Sequence, residues 1–289
     1  MPRSPVQGCE RGFCPVQTQG GGVIGILNVS SRSRIIIDVG KFVLFAVALI
    51  ALIVQGTKTL GYNWQWYRVP RYIFTVTDTG FLAGPLLKGL LVTFRITGVG
   101  LVLAFTFGLV AALLRMSSSF AAQAIARAYL ELIRNTPLLI QLFFIYFVLS
   151  PIFEITAFTS AVLALSLFEG AYISEIFRSG ILSVPKEQWE AAYSSGLNSF
   201  EVYRFVILPQ AVRTILPPLT GQAISLIKDS ALVSTIAIYD LTMQGQAIVA
   251  ETFLVFEIWF TVAAIYLLIT LSLSTIVHVM EKRTGGSSA

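Results

Sequence analysis

Charge is scarce in this 289-residue chain. Aspartate, glutamate, lysine and arginine make up 12% of it, against 55% apolar residues. A soluble domain carries about 25% charged residues, and a water-facing surface with half of that would expose large apolar patches and aggregate. A soluble globular class is thereby excluded, and the surplus apolar surface is expected to face a lipid bilayer. Histidine occurs once, at His278, and cysteine twice, at Cys9 and Cys14. That supply excludes a histidine-rich metal centre and a disulfide scaffold, and no metal is expected. No G-x-x-x-x-G-K-S/T string is present, so no P-loop cradles ATP phosphates on this chain. The single histidine lies beside Lys282 and Arg283, away from any buried serine, and no catalytic residue is expected. Repeats of 20–50 residues are absent, and no apolar h-region with a small-residue cleavage site marks the amino terminus. The net charge of +5 is scattered between apolar runs; it reads as membrane orientation rather than as a nucleic-acid surface.

What the chain has in abundance is long apolar runs. A hydrocarbon core about 30 Å thick needs about 20 apolar residues per helical span. Six runs are expected to span: 42–55 (short unless it extends back through Ile35-Ile36-Ile37), 86–114, 128–150, 152–177, 212–238 and 254–279. They are too long and too uniformly apolar for barrel strands. Lysines and arginines divide fourteen to four between alternate connections, which puts both termini on the cytoplasmic side. The expected layout is a disordered tail over 1–41, a first membrane helix over 42–55, an extracytoplasmic loop over 56–85, a membrane domain over 86–280 and a short tail over 281–289. Trp64, Trp66, Tyr67 and Tyr72 in the loop suit the headgroup level. Gly98, Gly100 and Gly108 suggest close helix packing.

The largest polar stretch between spans, 178–211, reads as two short helices and a turn. Pro185 suits a helix start, and 186–194 are good helix formers. Gly196 offers the left-handed conformation that ends a helix. Asn198 with Glu201 forms a capping-box pattern, and Pro209 closes the second helix or kinks it into the next span. Glu190-Ala191-Ala192, three residues, Gly196, nine residues and Val206-Ile207-Leu208-Pro209 resemble the EAA loop of ABC-importer permeases, with Val206 in place of isoleucine. Further strings resemble the polar amino acid branch of that family: Gly89–Thr93, Ile133–Gln141, Gly170–Ile176, Leu216–Leu219 and Ile227–Ser234. Asn135 stands where the branch often has glycine, and Lys228-Asp229-Ser230-Ala231-Leu232 where it often has Lys-Asp-Thr-Ser-Leu.

The resemblance implies an all-α integral membrane protein, a five-helix type I ABC-importer permease core with one extra amino-terminal transmembrane helix, set in a bacterial inner membrane. It implies no cofactor on this chain. The implied partners are an ABC ATPase subunit carrying ATP and Mg, a second permease subunit (identical or related) and an extracytoplasmic amino-acid-binding protein. Glu190, Ala191, Ala192, Gly196, Leu208 and Pro209 are the expected ATPase-coupling residues, the small alanines seating in a groove of the motor. The rival class, an ion-gradient-driven secondary transporter, would normally show internal repeats and paired broken helices.

Ionisable groups at membrane depth are expensive and mark function by default. Glu169 lies near the middle of the fourth run with no cation within one helical turn, and Tyr172 shares its face. Two readings are open for Glu169: a buried structural acid, or a carboxylate lining a substrate route. Gln222 and Ser225 share a face of the fifth run with Asp229, and with Glu169 and Tyr172 they are the candidate pathway residues. Glu175 is expected to pair with Arg178, and Lys228 and Asp229 to pair with other helices or snorkel.

Overall fold

A computed structural model describes residues 31–59, 61–77 and 80–283. Cys9 and Cys14 lie outside the described residues. Helix α1 (Ser31–Thr59) belongs to a unit of its own, 1–63. Its stretch Ile37–Gly56 has a mean hydropathy of 2.5, and 20 residues at about 1.5 Å each match the hydrocarbon thickness. The helix starts well before residue 42, where the first apolar run begins.

The second unit starts at Trp64. A short helical turn (Pro70–Ile73) and an antiparallel hairpin of β1 (Phe74–Thr77) and β2 (Gly80–Ala83) lead into helix α2 (Pro85–Met116). The Gln65 amide donates to the Glu257 carboxylate at 2.6 Å. Stacked Trp64 and Trp66 lie beside Phe260, and Trp64 also meets Phe256. The segment is thus tied to the start of the last helix.

Helix α3 (Phe120–Arg134) and the helical stretch α4 (Leu138–Phe153) meet at 105°. The single span expected over 128–150 is therefore broken. Pro137 explains the break, because the residue before a proline is pushed out of the helical region. The Gln141 side chain steadies the corner by donating to the Ile133 and Thr136 carbonyls at 2.7 and 2.9 Å, which the helix end leaves without partners. Helix α5 (Ala157–Leu182) runs parallel to α2. Ser166 donates to the Gly100 carbonyl at 3.1 Å, and a Cβ on Gly108 would come within 2.6 Å of Ile173. Of the three glycines expected to pack closely, Gly108 does so, whereas Gly98 faces open space.

After helix α6 (Lys186–Ser194) the chain re-enters at Ser199–Glu201, widens into a π-helical turn over Val202–Ile207 and continues as α7 (Leu208–Asp229). Pro209 neither closes nor ends this helix. A second π-helical turn, Phe144–Leu149, likewise comes just before Pro151. The common cause is steric: a proline ring clashes with the carbonyl four residues back and offers no N–H to it, and a wider turn relieves both problems.

A 3₁₀ stretch (Ser230–Ile236) and a short helix α8 (Leu241–Thr252) follow, then α9 (Val255–Arg283). Asp240 caps α8 by accepting from the Met243 amide at 2.8 Å. Leu86, Leu241, Leu254, Ile258 and Val262 form the core there. By length and composition four described helices can cross a membrane, or five with the bent pair α3–α4. The expected span outside that count, the fifth run over 212–238, corresponds to α7, whose Gln210, Arg213, Gln222, Lys228 and Asp229 dilute its apolar character.

Candidate functional site

The hairpin between α5 and α7 is built by local rules. Pro185 occupies the N-cap of α6, one residue ahead of its first turn. The helix ends in a Schellman motif: Leu197 donates to the Ala192 carbonyl at 3.4 Å and Gly196 to that of Tyr193 at 3.0 Å. Gly196 sits at φ +82°, where residues with a Cβ are strained. Asn198 and Glu201 then satisfy each other's amides at 2.9 and 3.0 Å, the reciprocal capping box. Trp189 meets Tyr203 edge-on at 5.2 Å and locks the two arms together.

The hairpin exposes Glu190, Ala191, Tyr193, Gly196, Phe200, Leu208 and Pro209. Ala192 differs from expectation: it is buried within this chain's own core with Val202, Ile207 and Ala211. Its small size serves the packing of α6 on α7, which leaves Ala191 as the exposed alanine.

The membrane-buried site forms where α5 faces α7. Gly180 lies against Ile215, and one stretch further along these antiparallel helices Gln222 donates to Glu169. Glu169 is fully buried, and its Oε1 has no hydrogen-bond partner. Asp229 stands close enough to interact with the Glu169 carboxyl. A fully buried carboxyl with a second, half-buried one beside it calls for a proton or a cation between them. Tyr172, one turn along α5 from Glu169, stacks on Phe168 at 5.1 Å and carries the Arg134 guanidinium 5.6 Å from its ring centroid. Ser225 is half-buried and makes no hydrogen bond to a described residue. Of the four candidate pathway residues, Glu169 and Gln222 are thus joined, Tyr172 is adjacent, and Ser225 is not engaged.

Asp229 is the residue that spacing alone undervalued; its partner lies 60 positions away in sequence. Arg134 is the other. It is not in a connection but ends α3 against the middle of α5, and Arg127 lies within α3. The charge division falls to twelve against four without them. Glu175 pairs with Arg178 as expected, and also with Arg115 from α2. Among the described residues, no group of three or more histidine, cysteine, aspartate or glutamate side chains is placed to hold a metal.

Residues 104–286 match the family described as "Binding-protein-dependent transport system inner membrane component". The glutamine transport system permease protein GlnP of Escherichia coli (strain K12) is 42% identical over 201 residues, covering 68% of this chain and 92% of its own. The L-cystine transport system permease protein TcyB of Bacillus subtilis (strain 168) is 44% identical over 189 residues, covering 63% and 80%. Among solved structures, an amino acid ABC transporter determined with histidines aligns with a TM-score of 0.65 at 40% identity, over 69% of this chain and 94% of that one. The inward-facing MetNI methionine ABC transporter aligns at 0.54 with 22% identity, a likeness of fold. The chain belongs to the inner-membrane permease components of binding-protein-dependent transport systems.

Proposed function

We propose that this permease carries polar amino acids, with cationic and neutral ones favoured over acidic ones, and that Glu169 holds the substrate's ammonium group. The observation that carries this reading is the fully buried Glu169 carboxyl with one oxygen unpartnered, flanked by Gln222 and Asp229. An amino acid brings the missing cation in its α-ammonium, and a second in the side chain of arginine or lysine. The names of the relatives, glutamine and L-cystine permeases, point to the same substrate class.

The hairpin over about 183–209 is the coupling element. Glu190, Ala191, Gly196, Leu208 and Pro209 meet a separate ABC ATPase that binds ATP and Mg, and Ala192 supports them from beneath. A second permease, identical or related, completes the route, and an extracytoplasmic amino-acid-binding protein delivers the substrate. Both termini and the hairpin are cytoplasmic. Residues 42–55 form an extra transmembrane helix ahead of the permease domain, 86–280. No covalent chemistry occurs on this chain.

Reconstituted in vesicles with its ATPase and binding protein, the complex is expected to accumulate labelled glutamine or arginine only when ATP is hydrolysed, and to do so with the proton gradient collapsed. Uptake that follows the gradient without ATP would favour an ion-driven carrier instead. Orientation is tested separately, in a background without Cys9 and Cys14. A cysteine in place of Asn63 should react with an impermeant thiol reagent added to intact cells, and one in place of Ser195 should not. Labelling at position 195 from outside would invert the topology.

A further inference from the structure

Arg134 is an exposed cation at the end of α3 that rests on Tyr172, one turn along α5 from Glu169. Tyr172, on which its guanidinium rests, lies ten residues before the end of α5 at Leu182, about 15 Å at 1.5 Å per residue. That depth is inside the hydrocarbon, where an arginine is costly and marks a function. Arg134 forms no ion pair with a described residue, unlike Arg115 and Arg178, which both pair with Glu175. Glu131, one turn back on the same helix, accepts instead from the Asn135 side chain at 2.8 Å. The guanidinium therefore has five N–H donors and, among the described residues, only an aromatic face to meet them. Its place in the last turn of α3 helps to hold the charge, because a helix carboxyl end favours cations.

We propose that Arg134 is the carboxylate-binding subsite of the route, taking the α-carboxylate of an amino acid whose cationic group is held at Glu169. The inference rests on the amino acid reading of the Glu169 site. When ionised to hold an ammonium group, Glu169 and Asp229 supply acceptors only, and a route lined by them alone would strand the substrate's carboxylate in an apolar interior. A guanidinium offers parallel N–H donors that match both carboxylate oxygens, and Tyr172 borders both charges: it lies one turn from Glu169 on α5 and under Arg134 of α3. The route then presents an acid and a base to the two ends of a zwitterion.

The test is equilibrium binding to the purified permease–ATPase complex in nanodiscs, without the binding protein, using L-arginine against L-argininamide and L-glutamine against L-glutaminamide. The amides keep the ammonium group and lack the carboxylate. Wild type is expected to prefer at least one acid over its amide by about tenfold or more, the value of a charge-assisted pair. Arg134→Gln should bring the acid down to the affinity of its amide and leave the amide unchanged, which also shows that the variant is folded. If that variant does not accumulate, Arg134→Lys carries the test, since it keeps the charge but loses the fork; the preference should fall but persist. No acid preference in wild type, an unchanged preference in either variant, or an equal loss for acid and amide overturns the proposal. Glu169→Gln should weaken acid and amide together and keep their ratio. If it weakens neither, the Glu169 reading falls, and Arg134 is judged on the ratio alone. Failure of wild type to bind any of the four probes removes both.

Discussion

Replacing Gly196 with leucine is expected to abolish ATP-driven uptake while the chain still inserts in the membrane. Two effects combine. Gly196 holds φ +82°, and a side chain in the left-handed region costs about 1–2 kcal/mol. That strain falls on the Schellman turn that aims α6. The second effect is bulk. A Cβ at Gly196 meets nothing within 4 Å among the described residues, so the surface around it is open to a partner seated on the hairpin, which a leucine would meet. Gly196→Ala separates the two, because it carries the strain with little bulk. Alanine should reduce co-purification of the ATPase modestly, and leucine should eliminate it together with uptake. Wild-type co-purification and uptake in the leucine variant would remove the hairpin as the docking element. Equal losses in both variants would leave strain as the sole cause.

The second large effect is expected at Glu169. Glu169→Gln keeps the shape and most of the hydrogen-bonding capacity but removes the charge. Loss of one charge-assisted hydrogen bond costs roughly 1–3 kcal/mol, which is about 5- to 150-fold in affinity. Arginine should suffer most, glutamine less, and glutamate least, because the repelling carboxyl is gone. ATPase co-purification should not change, since the hairpin is a separate element. Competition uptake of the three amino acids at equal membrane abundance measures this. A mutant with the wild-type ranking and affinities would make Glu169 a structural acid.

What could be read in advance was what local chemistry determines. The bounds of α6, the left-handed Gly196 and the Asn198–Glu201 box need only their own neighbours, and the structure has them where spacing placed them. The corner at 135–137 carries a visible signal in Pro137, but the apolar residues on both sides of it, over 128–150, outweigh it. Hydropathy is blind to a change of direction. Helix α8 was missed because its residues are neither long nor apolar enough to count as a span, although Asp240 offers a cap. The Glu169–Asp229 encounter and the burial of Ala192 are tertiary facts. Each depends on how α5 and α7 lie against one another, which no window of sequence contains.

The π-helical turn over Val202–Ile207 sets an angle as well as relieving Pro209. An α-helix advances about 100° per residue, and a turn closed one residue later holds about one residue more per revolution. Every side chain after Leu208 is consequently wound back by about one residue's share, about 100°, from where an all-α hairpin arm would aim it. With that offset Gln222 and Asp229 face Glu169; without it they would be turned away. The hairpin and the buried carboxyls thus share one rotational coordinate along α7. Tightening of the wide turn under load from below would act on the site as a twist, with no need for the helix to slide.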